Sequence, residues 1–344
     1  MTPYALSMFI SSLSAGTIIV FISNHWFLAW VGLELNTLAI IPIMSKMHHP
    51  RSTEAAIKYF LVQSMASALL LFATMLNAWH TGEWTIINMQ TQTPLLLLTA
   101  ALMIKLAVAP FYMWLPDVIQ GLDLMTCLIL STWQKLAPMT LMIQVSSEIN
   151  TTLLMLLGML SLLIGGWGGL NQAQLRKMMA YSSIAHLGWM MIVMPYSPSL
   201  TLLNLIMYML LTTSMFLMMM KFSSTNINKM ASSWMKNLPV TSMMVIVLMS
   251  LGGLPPLSGF MPKWLILEEV IKQNIPLATM AVMSTLLSLF FYLRLSYMMS
   301  LTTPPTTMNS KLLWRLKMKL NMLSTTIIAS AMLLPITPLI LNMI

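Results

Sequence analysis

Two stretches of this sequence decide its fold, and both are apolar runs interrupted by proline. Residues 95–116 read Leu-Leu-Leu-Leu-Thr-Ala-Ala-Leu-Met-Ile-Lys-Leu-Ala-Val-Ala-Pro-Phe-Tyr-Met-Trp-Leu-Pro, and residues 249–264 read Met-Ser-Leu-Gly-Gly-Leu-Pro-Pro-Leu-Ser-Gly-Phe-Met-Pro-Lys-Trp. Two prolines lie six apart in each, and the second pair follows the first by 146 positions. A proline removes a backbone donor and clashes with the preceding turn, so each stretch predicts a helix that opens. Paired broken helices are typical of a membrane protein with an internal repeat and an ion pathway.

The composition predicts an integral membrane protein. Of 344 residues, 58% are hydrophobic and only 7% are charged, and the mean hydropathy is +0.82. A soluble domain averages about 25% charged residues. The net charge of +9 comes from basic residues scattered over loops, which argues against nucleic-acid binding because no basic stripe is interleaved with aromatics. The single cysteine, Cys127, excludes an intrachain disulfide and a cysteine-ligated cluster.

The hydropathy pattern predicts an all-α, polytopic membrane helix bundle. A span needs about 20 apolar residues, and residues 302–319 are the only long polar segment, expected to be a loop or surface helix. The sequence predicts about eleven spans, at residues 3–22, 25–45, 57–79, 94–115, 123–145, 151–171, 175–195, 199–221, 239–261, 273–298 and 323–343.

The basic residues predict the orientation of these spans. Loops on the N-terminal side contain twelve of the 17 lysines and arginines, and the opposite side contains only Lys272. The broken spans are the fourth and ninth, so the repeat unit is five spans, and an odd unit inverts its topology. We expect one membrane domain, with a first five-helix repeat at 1–147, an inverted second repeat at 148–300, and a loop plus C-terminal span at 301–344.

Ionisable residues within the spans are candidates for proton translocation, because each costs about 2.5–3.5 kcal/mol at mid-membrane. They are Glu34 in the second span, Lys105 in the fourth, Lys135 in the fifth and Lys263 at the edge of the ninth. A buried lysine suits a relay because a change in a neighbouring charge can switch it between neutral and charged forms. The alternatives are a carboxyl kept neutral by burial, for Glu34, and a side chain that reaches the interface, mainly for Lys263.

The other ionisable residues of the spans leave more alternatives open. His186, in the middle of the seventh span, is either a titrating group or a satisfied packing group. Arg294 lies near a span end and is expected to be structural. His25 is expected at the interface, and His48 and His49 in a solvated loop.

No catalytic, cofactor-binding or metal-binding residues are expected in this chain. The sequence has no phosphate loop, no dinucleotide fingerprint after a strand and no metal-ligand spacing. The glycine-rich residues 165–169 end a membrane helix, where close helix packing explains them best.

The chain resembles the family of subunit 2 of mitochondrial NADH:ubiquinone oxidoreductase (respiratory complex I), antiporter-like membrane subunits, in its animal form of eleven spans. The resemblance rests on residues 50–56, 132–138, 165–173 with Arg176 and Lys177, 181–189 and 252–264, and it covers essentially the whole chain. The 40 methionines also fit a genetic code that reads an extra codon as methionine, as animal mitochondria do.

This resemblance implies proton translocation that is coupled to electron transfer from NADH to ubiquinone. The family's second-span glutamate and its fourth-, fifth- and ninth-span lysines fall here on Glu34, Lys105, Lys135 and Lys263. NADH, FMN, iron–sulfur clusters and ubiquinone are expected in partner subunits and not in this chain. The expected partners are the other membrane and hydrophilic-arm subunits of the complex, neighbouring antiporter-like subunits, and lipids such as cardiolipin, but no nucleic acid.

Two departures accompany the resemblance. Tyr112 stands where many relatives have histidine, although a tyrosine can still donate and accept a hydrogen bond. The two lysines of the broken spans are also not register-equivalent, because Leu251 lies 146 positions after Lys105 and Asp117 lies 146 positions before Lys263.

The resemblance implies a multi-pass protein of the mitochondrial inner membrane, with its N-terminus in the matrix and its C-terminus in the intermembrane space. No activity of the isolated chain is expected. Two other functions stay open at this point. A stand-alone cation/proton antiporter would transport when purified alone, and a purely structural membrane subunit would tolerate the loss of Lys105.

Overall fold

The computed structural model describes residues 2–46, 49–89, 91–235, 237–301 and 323–343. Across these ranges the chain is helical, and β-pairing is limited to two isolated bridges, His25 with Thr85 and Gln174 with Asn226. The predicted all-α fold is therefore confirmed. The polar segment at 302–319 and His48 lie outside the described residues.

Long apolar helices occupy most of the predicted spans. Helices α9 (Leu175–Val193) and α15 (Leu323–Met343) lie at the predicted seventh and eleventh spans. Six helices in the described part of the chain are long and apolar enough to cross a membrane: α1 (Pro3–Ile22), α2 (Trp26–Met44), α3 (Pro50–Thr81), α8 (Thr151–Gly169), α10 (Pro198–Phe222) and α14 (Ile275–Ser300).

The two proline-interrupted stretches are broken helices, as the sequence predicts. The fourth span consists of α4 (Gln92–Leu106) and α5 (Trp114–Gly121), and the ninth consists of α12 (Leu238–Gly252) and α13 (Phe260–Gln273). The offset of 146 positions holds for both helix starts and for the end of the helix before the break.

The same offset relates the backbone conformations at the two breaks. Ala107, which follows α4, has a φ of 62°, and Gly253, which follows α12, has a φ of 85°. A left-handed residue after the last helical residue lets the amide bond back to the final turn, which ends the helix. Ala107 adopts this conformation at a cost of roughly 1–2 kcal/mol, which the surrounding fold must offset.

Helix α13 differs from the sequence expectation, which ended the ninth span at residue 261. Its charged residues lower the local hydropathy, so the sequence pattern there resembles a loop. Those charges fit a helix instead, because Lys272 Nζ lies 2.7 Å from Glu269 Oε1 and 3.9 Å from Glu268 Oε1, the spacing at which helical side chains pair.

The fifth predicted span is also divided, into α6 (Leu124–Ser131) and α7 (Trp133–Val145). At the junction, the Thr132 hydroxyl donates a 2.6 Å hydrogen bond to the carbonyl of Leu128. Such a bond back to the preceding turn competes with regular helix geometry, and Thr132 has φ −112° and ψ −71°. The break places Lys135 in the first turn of α7.

The chain forms two compact units that meet in sequence between Leu157 and Gly158, within α8. The first unit contains α1–α7, and the second contains α9–α15, among them the short helix α11 (Ile227–Ala231). The repeat boundaries at 1–147 and 148–300 stay a prediction. Within the second unit, a Cβ added to Gly165 would lie 2.7 Å from the backbone nitrogen of Ala185 on α9, which confirms that the glycine-rich end of α8 serves close packing.

Candidate functional site

In the first unit, Glu34 is anchored between α2 and α3. Its carboxylate accepts hydrogen bonds from Thr37 Oγ1 at 2.6 Å and from Ser67 Oγ at 2.7 Å. Trp30, one turn earlier on α2, donates through Nε1 to the carbonyl of Ser67 at 3.2 Å. The half-buried Glu34 is therefore held in one orientation, and it interacts electrostatically with the Lys105 amine.

Lys105 and Lys135 line one cavity in the same unit. Their exposed fractions are 7% and 4%, so both amines are removed from the outer surface. The cavity offers about 20 Å³ to the centre of a water molecule, which is room for about one ordered water. Its lining residues are Leu33, Asn36, Thr37, Tyr59, Gln63, Lys105, Leu106, Trp114, Leu115, Leu130, Gln134, Lys135 and Pro138.

Four of these lining residues present buried polar atoms that lack a hydrogen-bond partner within the described structure. They are Asn36 Oδ1, Gln63 Nε2, Lys105 Nζ and Gln134 Nε2. Buried polar groups are nearly always paired with protein or with ordered water. Three donors and one acceptor at one small cavity have the chemistry of a water-binding site, and one bridging water can join two groups that do not touch.

The break between α4 and α5 is held open by Trp114. Its Nε1 donates to the carbonyl of Ile104 at 3.1 Å, which satisfies a carbonyl in the last turn of α4. The ring of Tyr59 on α3 packs edge-on against Trp114, with 5.8 Å between ring centroids. These contacts fix the turn that contains Lys105. Tyr112 lies between the two helices, where its carbonyl accepts from the amide of Leu115 at 3.1 Å.

In the second unit, Lys263 reaches back to the end of the helix before its break. Its Nζ donates to the carbonyls of Gly252 at 2.9 Å and Leu251 at 3.3 Å. A cation is favourable at a helix C-terminus, where carbonyls are left without intrahelical donors. The side chain is 8% exposed, so the amine is turned toward these carbonyls and does not extend to the surface. It also lines a cavity of about 420 Å³ with Trp264 and Glu268.

His186 is buried on α9 and packs against an aromatic ring of α10. Its ring lies 5.4 Å from that of Tyr208, and Tyr208 shares a hydrogen bond with Ser183, one turn before His186. Both a titrating role and a packing role fit this position. Arg294 Nη1 donates to the carbonyl of Leu170 at 2.9 Å, just past the end of α8, which fits the structural role expected for it.

Of the remaining histidines of the described residues, His25 and His49 are at helix starts, and His80 lies in the last turn of α3. His25 Nδ1 accepts from the amide of Phe27 at 3.2 Å, and its ring stacks on Trp84. His49 caps α3 in the same way, through the amide of Arg51. Within the described residues, no group of three His, Cys, Asp or Glu side chains could hold a metal ion.

The structure thus brings Glu34, Lys105 and Lys135 together in the first unit, whereas Lys263 and His186 belong to the second. Sequence reasoning missed the amides of Gln63 and Gln134. Each is an uncharged but strongly polar residue in the middle of an apolar span. A search for charged residues alone does not find such positions.

Comparison with known families identifies two consecutive regions. Residues 23–288 match the membrane family described as NADH:quinone oxidoreductase/Mrp antiporter. Residues 289–341 match the family described as the C-terminus of NADH dehydrogenase subunit 2. Together the two matches span nearly the whole chain.

Curated relatives match along their full length. The chain is 54% identical to NADH-ubiquinone oxidoreductase chain 2 of Salmo salar, over 100% of this chain and 99% of the relative. The corresponding protein of Scyliorhinus canicula is 55% identical over 99% of both chains, and that of Xenopus laevis is 52% identical over 99% of this chain and 100% of the relative.

Solved structures share the fold at lower identity. A chain of respiratory complex I from Thermus thermophilus has a TM-score of 0.88 and 24% identity, covering 99% of this chain and 80% of that one. A chain of the Mrp complex from Dietzia sp. has a TM-score of 0.78 and 20% identity, covering 87% of this chain and 61% of that one.

Proposed function

Because the chain belongs to the NADH-ubiquinone oxidoreductase chain 2 family, we propose that it translocates protons through its buried lysines when assembled in that enzyme. The observation that carries the proposal is the cavity of the first unit, which is lined by the unpaired amine of Lys105 and by the amides of Gln63 and Gln134. An amine that no protein group holds can gain or lose a proton without breaking a hydrogen bond.

The first unit supplies the parts of a proton relay. A proton arriving at the cavity is taken up by the neutral Lys105 amine, and the resulting ammonium is stabilised by the carboxylate of Glu34. Lys135 lines the same cavity, and like charges at close range disfavour double protonation. A proton on one amine therefore favours the neutral form of the other, so that the pair passes a single charge along.

In the second unit, backbone carbonyls stabilise the positive charge of the lysine. The carbonyls of Leu251 and Gly252 stabilise the ammonium form of Lys263. Release of the proton from Lys263 therefore requires a structural change near the break. We propose that the two broken helices belong to inverted repeats, as the constant 146-residue offset supports, and that His186 takes part in proton translocation in the second unit.

The redox chemistry belongs to other subunits in this proposal. NADH, FMN, iron–sulfur clusters and ubiquinone are bound by partners, and the isolated chain is inactive. The chain lies in the mitochondrial inner membrane with its basic loops and N-terminus in the matrix, and it contacts neighbouring antiporter-like subunits and anionic lipids such as cardiolipin.

Substitution of Lys105 tests the proposal in the assembled complex. Lys105→Met keeps length and apolar packing but deletes the titrating amine, so NADH:ubiquinone turnover should fall by about ten-fold or more. Lys105→Arg should not restore turnover, because guanidinium does not release its proton. Lys272→Met, which removes an exposed lysine, is the matched control. Normal turnover in the Lys105→Met complex would contradict the proposal.

A further inference from the structure

A second, wider cavity lies on the face of the first unit where α3 begins. It has a volume of about 250 Å³ and is lined by Arg51, Glu54, Ala55, Lys58, Asp117, Gln120 and Gly121. We call Glu54, Lys58 and Asp117 the mouth. Their side chains are 62%, 46% and 54% exposed, so water reaches all three.

The two carboxylates of the mouth lie at different distances from the amine of Lys58. Lys58 Nζ lies 2.8 Å from Glu54 Oε1, a close pair one helical turn apart, but 4.0 Å from Asp117 Oδ2. Asp117 is therefore near a cation yet not tightly bound to it. The charged groups that face it come from α3, the helix that packs against α5, and they are Arg51, Glu54 and Lys58.

The mouth and the Lys105 cavity share their walls. On α3, Lys58 lines the mouth and the next residue, Tyr59, lines the cavity. On α5, Asp117 lines the mouth and Trp114, three residues earlier, lines the cavity. Because a helix rises 1.5 Å per residue, these neighbouring wall residues lie about 1.5 Å apart along α3 and about 4.5 Å apart along α5.

The buried face of α3 is polar where it lines the cavity and is flanked by apolar positions on both sides. Tyr59, Gln63 and Ser67 follow one another at four-residue spacing and are 2–3% exposed. Beyond Ser67 the next buried positions are Leu70 and Ala73, both 0% exposed. The next buried polar residue, Thr74, lies about 10 Å further along the helix. Toward the mouth, Ala55 and Ala56 are buried as well, so the polar stripe reaches the mouth through Tyr59, whose neighbour Lys58 lines it.

The geometry points to Asp117 and its mouth as the port through which protons from the basic face reach Lys105, an assignment that rests on the proposed function. A proton from bulk water binds the Asp117 carboxylate. It then passes by way of bridging water, past the packed rings of Tyr59 and Trp114 and through the cavity that both residues line, to the neutral Lys105 amine, which becomes an ammonium as Asp117 returns to a carboxylate. The position of Asp117 corresponds to that of Lys263 in the second broken helix, so both breaks have an ionisable group at this place.

Proton delivery by added buffer tests this port. The assembled complex is reconstituted in vesicles with its NADH-oxidising arm outside, so that the basic face contacts the external medium. At alkaline pH and low buffer, Asp117→Asn should lower turnover by about ten-fold, since charged clefts raise capture rates by at least that factor. A hundred-fold higher concentration of a membrane-impermeant zwitterionic buffer outside should restore most of the rate.

Three further variants make the outcome decisive. Asp117→Glu keeps a carboxyl and should turn over like the unsubstituted complex at low buffer. Asp123→Asn removes an exposed carboxylate from the same face, outside the mouth, and should have no effect. Glu54→Gln alters the mouth at a mostly exposed side chain, so it provides the same buffer test if the Asp117→Asn complex does not assemble, with a smaller loss of rate.

The results separate this port from the relay itself. Lys105→Met should be slow at every buffer concentration, because the acceptor is gone. A normal rate in Asp117→Asn at low buffer, or a loss that buffer does not restore, would overturn the port while leaving the relay intact. A rate in Asp117→Glu as low as that in Asp117→Asn would also overturn it, since shape and not protonation would then matter. Normal turnover in Lys105→Met would contradict the relay.

Discussion

The amine of Lys263 donates a hydrogen bond to the carbonyl of Leu251 at 3.3 Å, and Leu251 occupies the position that corresponds to Lys105 in the first broken helix. Each break therefore has a lysine amine beside the last turn of the helix that precedes it. The two lysines come from opposite sides of their breaks. Lys105 belongs to the helix before the break and Lys263 to the helix after it. The two amines differ in one respect that matters for chemistry. That of Lys263 is paired with carbonyls, whereas that of Lys105 has no hydrogen-bond partner in the described structure.

This difference predicts opposite effects on stability. Lys263→Met leaves the carbonyls of Leu251 and Gly252 without their donor and should destabilise the assembled complex by about 1–3 kcal/mol. Lys105→Met replaces an unpaired buried amine by an apolar group of similar size and should be neutral or stabilising. Thermal inactivation of the two purified complexes measures this. Equal midpoints for the two variants would show that the Lys263 bonds contribute little.

Gly253 is predicted to be indispensable at the second break. Its φ of 85° disfavours any side chain, and an added Cβ would lie 2.7 Å from Lys263 Nζ. Gly253→Ala should therefore displace the lysine and reduce the amount of assembled complex, seen on native gels. Gly252→Ala is the matched control, because its nearest new contact is Tyr292 at an ordinary 3.6 Å. If both variants assemble normally, the left-handed turn is not required.

The amides of the first cavity are predicted to serve proton transfer by holding water. Gln134→Leu keeps the approximate volume but removes a donor that faces Lys105 and Lys135, so turnover should fall by about ten-fold while assembly is retained. Gln92→Leu, at the exposed start of α4, controls for the loss of an amide elsewhere. Unchanged turnover in the Gln134→Leu complex would mean that the cavity is not part of the path.

The asymmetry of basic residues predicts the topology. Twelve of the 17 lysines and arginines fall on the side of the N-terminus when eleven spans alternate, so the N-terminus should lie in the matrix and the C-terminus in the intermembrane space. Protease accessibility of terminal tags, compared between intact mitochondria and mitoplasts, measures both ends. Two termini on one face would contradict the eleven-span arrangement and the inverted repeat.

Much of the fold follows from apolar length and from proline. The breaks after Leu106 and Gly252 were predictable because proline removes a backbone donor wherever it stands. The break at Thr132 was not, because a threonine that bonds back to Leu128 looks in sequence like any other helical threonine. Helix α13 was missed because its four charged residues lower hydropathy, although three of them, Glu268, Glu269 and Lys272, pair along the helix.

The site was predictable in its charges but not in its surroundings. Burial makes Glu34, Lys105, Lys135 and Lys263 conspicuous in an apolar sequence. The partners of Lys263 are backbone carbonyls freed by a break, and backbone carbonyls leave no signal in the sequence. The convergence of Gln63 and Gln134 on one cavity depends on how α3 packs beside the fourth and fifth spans, which residue types alone do not determine.

One measurement tests the relay most directly. The initial rates of NADH oxidation and of proton translocation are recorded together in vesicles that contain the complex with Lys105→Met. The relay predicts that proton translocation falls at least about ten-fold, with NADH oxidation falling alongside it because the coupled cycle stalls. Proton translocation at the unsubstituted rate, with unchanged protons per electron, would contradict it.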